Sequence, residues 1–148
     1  AQHEKFIALT GKEPTHIDSH LYLHQIFPKA ERQSIRLSEK LGVPLRQFET
    51  KLFKGAYFES RFKQKESEGL TELKKKLKML VIENFGREIV ELMVHPGYLD
   101  REIVAISSYC FPRAVEGAVL KDPEIKEYIH NNGIRLISFA ELERKQNG

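Results

Sequence analysis

Residues 88–95 read Glu88-Ile-Val-Glu-Leu-Met-Val-His95 and are closed by Pro96-Gly97. Apolar side chains on both faces predict a strand buried on both sides, the pattern of a parallel sheet covered by helices. Upstream, Leu70, Leu73, Leu77, Leu80 and Val81 form a helical stripe over residues 70–85, ended by Gly86. Lys74, Lys75, Lys76 and Lys78 cover the opposite side of that helix and read as a solvated face. Downstream, residues 112–120 and 123–131 read as two short helices, the second ending at Gly133. Ile134-Arg-Leu-Ile137 reads as a further strand, and Ser138 with Glu141 as a capping box. Farther upstream, Phe27 to Leu41 is helical, with Pro28 in the first turn and Gly42 as the stop. Val43-Pro44-Leu45-Arg46 is a strand candidate weakened by its proline. Residues 47–69 carry no regular pattern and read as a long active-site loop or a loop with a short helix, while Phe6, Ile7 and Leu9 place an opening helix before Gly11. Strands alternating with helices predict an α/β fold with parallel strands.

The 148 residues are one domain's length, with 41% hydrophobic and 30% charged residues, as in ordinary globular proteins. A net charge of +3 is too small and too dispersed to point to nucleic acid. The aromatics of residues 47–69 stand among lysines, but without the spacing of a stacking platform. No apolar run approaches the ~20 residues of a membrane helix. The polar opening Ala1-Gln2-His3-Glu4 lacks signal-peptide character. Cys110 is the one cysteine, so no internal disulfide forms, and a reducing, cytoplasmic setting is the expectation. No Gly-rich phosphate loop and no Ser-centred nucleophile elbow are present.

Two segments concentrate chemistry. Pro14-Thr-His-Ile-Asp-Ser-His-Leu-Tyr-Leu-His24 holds three histidines and an aspartate. In an extended strand His16, Asp18 and His20 share a face, with His24 in reach if the chain turns. Such a set suits metal ligation or acid/base work, although single histidines often only cap strands or pair with carboxylates. The second segment is the end of the strand that closes at His95. In parallel α/β folds, chemistry gathers at the carboxyl ends of strands. Glu91 lies on the face of His95 by strand periodicity, either orienting that histidine or a cation, or pairing with Arg87 or Lys78. Tyr98, Asp100 and Tyr109 follow in the next loop, where a ligand could meet them.

These segments together carry a resemblance. Pro14-Thr-His-Ile-Asp-Ser-His20, Glu91-Leu-Met-Val-His-Pro-Gly-Tyr98 with Asp100, Ser108-Tyr-Cys-Phe-Pro-Arg113 and Gly133-Ile-Arg-Leu-Ile-Ser-Phe139 occur in that order. The series resembles the YdjC-like carbohydrate deacetylases, which include chitooligosaccharide deacetylases. The resemblance implies a TIM-barrel-like, distorted β/α barrel and metal-dependent hydrolysis of acetyl groups from N-acetylated sugars. It implies a divalent cation, commonly magnesium, with zinc as an alternative. It implies His20 as a metal ligand and His95 as a general acid. Asp18 would orient His20 or a nearby water, and Glu91 would support His95. Arg46, Tyr98 and Tyr109 are the substrate-binding candidates.

The sequence also departs from the family pattern. The Asn-Ala-Asp-Asp-Phe-Gly strand, which carries a metal-binding aspartate, and a later Gly-x-His ligand are not found. Residues 1–148 are therefore expected to form a single domain corresponding to the C-terminal part of a YdjC-like deacetylase, without its N-terminal metal-binding segment. Three readings follow. The chain is part of a deacetylase whose activity belongs to a longer protein, or an inactive sugar-binding or interaction module. In the third, His16, Asp18, His20 and His24 form a transition-metal site of their own. The expected partners are an N-acetylated oligosaccharide and either a second copy of the chain or the missing N-terminal segment, with no nucleic acid and no membrane. His20 and His95 are expected to serve one cavity.

Overall fold

A computed structural model describes residues 2–65, 67–142 and 144. They belong to two compact units, one of Ala1–Ala56 with Leu136–Gly148 and one of Tyr57–Arg135.

The first unit begins with α1 (Gln2–Thr10). A 3-10 turn over His20–Tyr22 leads into the short α2 (Leu23–Ile26), which packs on α3 (Pro28–Leu41). Pro28 occupies the first turn of α3, where its missing N–H would have had no helical partner. Gly42 ends α3 at φ +66°, a left-handed conformation that favours glycine. Its N–H returns to Glu39 O at 3.3 Å, and Val43 N–H returns to Ser38 O at 3.2 Å. The strand expected over residues 43–46 is a single parallel bridge between Leu45 and Ile17. Ile17 N–H donates to Pro44 O at 2.9 Å, and Arg46 N–H donates to Ile17 O at 2.9 Å. Pro44 is needed there only as an acceptor, so its missing donor does not break the bridge. Leu45 and Phe53 are buried apolar side chains of this unit. The expected capping box is present: Glu141 accepts from Ser138 N–H at 2.8 Å, over a 3-10 turn at Phe139–Glu141.

The second unit comprises β1 (Tyr57–Glu59), α4 (Leu70–Glu83), β2 (Val90–Leu92), α5 (Arg101–Ile106), α6 (Phe111–Lys121) and α7 (Pro123–Asn131). β1 and β2 pair in parallel, Tyr57 with Val90, Phe58 with Glu91 and Glu59 with Leu92. The chain crosses between them through α4, forming a β-α-β unit. α4, α6 and α7 pack on one another. Their core is Phe62, Leu73, Leu77, Leu80, Val119 and Ile125, with Leu92 and Val94 from β2 and its extension against it. Asp100 caps α5 by accepting Ile103 N–H at 2.8 Å, and Asp122 caps α7 through Glu124 N–H at 2.9 Å. The architecture is α/β with parallel strands.

Several sequence expectations are corrected. The strand at residues 88–95 is three residues long and half-buried rather than covered on both faces, with Val90 40% exposed. Residues 134–137 join no ladder among the described residues. Ile134 N–H instead returns to Ile129 O at 3.2 Å, extending the exit of α7. Residues 47–69 contain β1 and two core phenylalanines rather than loop alone. The lysine face of α4 is ion-paired: Lys76 lies 2.7 Å from Glu68, and Lys78 2.5 Å from Glu124. Lys74 bridges Asp122 and Glu124. Their side chains are 20–31% exposed because the acidic ends of neighbouring segments fold over them.

Candidate active site

In the first unit the histidine segment does not form one ligand face. His16 stacks on Phe139 with ring centroids 4.2 Å apart. His24 is fully buried. Its Nε2 meets the carbonyl of Arg46 at 3.1 Å. A carbonyl only accepts, so Nε2 carries the proton and Nδ1 of the neutral ring accepts from the Ser19 hydroxyl. Ser19 Oγ in turn accepts the backbone N–H of His24 at 3.0 Å. His24 thus ties the histidine segment to the segment after Leu45, and both of its ring nitrogens are engaged. Asp18 is held too: its Oδ2 lies 2.7 Å from Arg46 Nη1, and its Oδ1 accepts Ser19 N–H at 2.7 Å. His20 is exposed at the start of the 3-10 turn.

Unusual backbone flanks these side chains. Leu21 and Tyr22 are left-handed at φ 51° and 57°, directly after His20, and Gln47 is left-handed at φ 64°, directly after Arg46. Such conformations cost roughly 1–3 kcal/mol each in a non-glycine residue and persist where the surroundings enforce them. Here the His24 buckle and the Asp18–Arg46 pair supply that enforcement.

The cation implied by the family resemblance needs several oxygen or imidazole donors converging on one point. Among the described residues no three His, Cys, Asp or Glu side chains converge in this way. His24 is buried in its own hydrogen bonds, His16 lies on Phe139 and Asp18 faces Arg46. These residues do not by themselves fit a metal, and the reading of a local transition-metal site is not supported by their placement.

In the second unit His95 stands where β2 runs out into the Pro96-Gly97 turn. That turn lies flat on α6. Gly97 N–H donates to Arg113 O at 3.2 Å, and a Cβ on Gly97 would meet the Arg113 side chain at 3.3 Å. Glycine permits this approach. The approach brings residue 95 against Glu116, a fully buried carboxylate on α6. Glu116 Oε2 accepts the backbone N–H of His95 at 2.6 Å and lies 4.0 Å from His95 Nδ1. Its Oε1 accepts the Tyr109 hydroxyl and, at 3.4 Å, Gln64 N–H. Tyr109 meets the His95 ring edge-on with centroids 5.6 Å apart. Burial, with the facing Glu116 carboxylate, pushes the Tyr109 phenol up to about 12. Tyr109 also lines an open cleft of about 670 Å³ with Ser60, Arg61, Lys63, Gln64, Lys65 and Lys76.

Of the residues singled out in the sequence, the structure brings Asp18 together with Arg46, and His95 with Tyr109. Glu91 is half-buried on β2, opposite Phe58. Tyr98 is 81% exposed, and its hydroxyl accepts from Lys121 Nζ at 2.9 Å, which lowers its pKa. Asp100 is a helix cap. Glu116 was missed. Its signal was a carboxylate on the buried side of a helix, four residues after Pro112 and three before Val119, where an apolar residue is the norm.

The sequence pattern of the family described as YdjC-like protein matches residues 1–131. The chain belongs to this YdjC-like family. It is 32% identical over 149 residues to carbohydrate deacetylase 2 of Listeria innocua, covering 98% of this chain and 58% of that protein. It is 34% identical over 156 residues to a chitooligosaccharide deacetylase of Serratia marcescens, covering 95% and 58%. With a carbohydrate deacetylase of Geobacillus stearothermophilus it shares 33% identity over 147 residues, covering 96% and 57%. A crystal structure from Enterococcus faecalis V583, described as a proposed cellobiose-phosphate cleavage protein, superimposes with a TM-score of 0.72 at 25% identity. That match covers 96% of this chain and 57% of the other. The YdjC-like chain thus spans a little over half the length of the curated relatives it matches.

Proposed function

We propose that this YdjC-like chain carries part of the machinery for metal-dependent removal of acetyl groups from N-acetylated sugars. The supporting observation is the setting of His95: one ring nitrogen is buried against a carboxylate, and the rest of a ring 34% exposed can meet a ligand. That is the setting of a general acid held for use. Relatives matched over nearly the whole chain bear carbohydrate deacetylase names, which directs the acid to amide hydrolysis.

In this reading His95 protonates the departing amine nitrogen as its bond to the acetyl carbon breaks. Tyr98 offers its exposed ring and hydroxyl to a sugar, and Tyr109 offers its ring at the cleft. Asp18 and Arg46 act as a pair, the aspartate held by the guanidinium and aligned beside His20, with Arg46 also available to substrate. Glu91 supports the end of β2. His20 is the exposed histidine of the first segment and would contribute one ligand to a divalent cation, magnesium or zinc. Such a cation polarises the acetyl carbonyl when bound. The β-α-β unit and the parallel Ile17–Leu45 bridge are the pieces the back portion of a distorted β/α barrel would supply, with residues 1–148 as one domain of it.

The test is acetate release from N-acetylglucosamine oligomers, with and without Mg²⁺. It uses the chain alone and the chain mixed with the portion of a relative that it does not match. Acetate release in either arm, reduced about 10²-fold by His95→Ala, is the expected result, since general acid transfer contributes roughly that much. Oligomer binding without release in both arms would instead favour the inactive sugar-binding module. Neither binding nor release would overturn the proposal.

A further inference from the structure

We infer that Glu116 is the positioning residue of His95, fixing both its place and its tautomer; this rests on the reading of His95 as the general acid. Three groups converge on Glu116, the N–H of His95, the Tyr109 hydroxyl and the N–H of Gln64, and all three donate. The side chain therefore works purely as an acceptor, the hydrogen-bonding character of a carboxylate. It is fully buried, so no water screens it.

His95 Nδ1 is also buried, and among the described residues it has no hydrogen-bond partner. The Glu116 carboxylate faces it, with Oε2 at 4.0 Å. A lone pair on Nδ1 would face the lone pairs of a carboxylate, whereas an N–H there would point its positive end at them. The arrangement therefore selects the neutral ring with its proton on Nδ1. Tyr109 presents its ring to His95 and spends its hydroxyl on Glu116. Arg113, also on α6, directs its guanidinium toward the Tyr109 ring at 5.9 Å. Neither competes for Nδ1.

The consequence is a division of labour between the two nitrogens. Nδ1 keeps its proton throughout, and Nε2 is the atom that exchanges. As an imidazolium, His95 gives the Nε2 proton to the leaving nitrogen. The electron pair of the breaking C–N bond becomes the new N–H bond, and the ring left behind is the Nδ1–H form that Glu116 favours. A carboxylate beside Nδ1 thus serves the acid before and after the transfer, as an orienting partner does in other histidine sites.

The experiment is long-range ¹H–¹⁵N correlation of histidine rings in the ¹⁵N-labelled chain, at mildly alkaline pH where imidazoles are neutral. Wild-type His95 is expected to show a protonated Nδ1 and a bare Nε2. Glu116→Gln, which turns an amide toward one set of donors, is expected to move the proton to Nε2. Tyr109→Phe, which removes a donor but leaves the carboxylate, is expected to keep it on Nδ1. A bare Nδ1 in the wild type, or the same reversal in Tyr109→Phe as in Glu116→Gln, would overturn the inference. So would a lower melting temperature in Glu116→Gln with the tautomer unchanged. Under the acetate assay Glu116→Gln is expected to lower kcat about 10²-fold at nearly constant KM. If the tautomers are as expected while no protein releases acetate, the failure belongs to the proposed deacetylase role and the positioning of His95 stands.

Discussion

Two buried glutamates in the second unit do opposite work. Glu59, at the end of β1, is 1% exposed. It is held by Arg61 Nη2 at 2.5 Å and Nε at 2.9 Å, by Arg61 N–H at 2.9 Å and by Asn84 Nδ2 at 3.0 Å. The Arg61 hydrogen bonds pull its pKa down to about 2 against the desolvation that would raise it. A carboxylate depressed in the folded state stabilises the fold above its unfolded pKa, and that stability is lost as pH falls through the folded value. The window here runs from about pH 4.5 down to about 2. With Arg61 half-exposed, about 2 kcal/mol is at stake rather than the full electrostatic value. Glu59→Gln is expected to lower stability at pH 7 and to flatten the acid limb between those two values, read from urea midpoints across pH. An acid limb unchanged in the variant would remove Glu59 as its source. Glu116, by contrast, is bound among the described residues by backbone and phenol donors, and the role inferred for it is to orient a neighbour.

At the scale of elements, the long periodic segments were legible and the short paired ones were not. α3, α4, α6 and α7 each show an apolar stripe with proline or a capping side chain at the start, all of it written within the segment itself. β1 and β2 are three residues each, and what makes them strands is a partner about thirty positions away in sequence. Residues 134–137 have the β-branched composition of a strand but find no ladder, because pairing decides and composition does not. α5 was hidden in what read as a loop, since its six residues hold no full stripe. The site follows the same division. His95 was readable from its place before Pro-Gly, but Glu116 could be tied to it only by knowing that α6 folds back beneath the turn. Phe62 shows how much a patternless stretch can hold: it is fully buried between β1 and α4, in the core with Leu73, Leu77 and Leu80. Phe62→Ala is expected to destabilise the second unit by about 3–5 kcal/mol. Thermal unfolding monitored by circular dichroism measures this, and a loss under 1 kcal/mol would mean that the aromatic is not the keystone of that core.

For the molecule as a whole, burial is thin. The described residues bury eight large apolar side chains almost completely and leave Leu9, Leu21, Tyr98, Ile106, Phe111 and Leu136 between 63% and 82% exposed. The sheet has two strands, so among the described residues β1 and β2 each have a neighbouring strand on one side. Small cores leave little margin over the entropy of ordering the chain, and open edges next to apolar surface recruit whatever can pair with them. No helix among the described residues is long and apolar enough to cross a membrane. A second copy of the chain offers the same edges and the same apolar side chains, and it is always present at the chain's own concentration. Self-association is therefore expected, with the sedimentation coefficient rising as concentration increases and the melting temperature rising with it. Lysine placed at Ile106, an exposed apolar position, should weaken the association without lowering the melting temperature of the dilute protein. A single monomeric species with a sharp, concentration-independent melt would show that this burial is enough for the chain to stand alone.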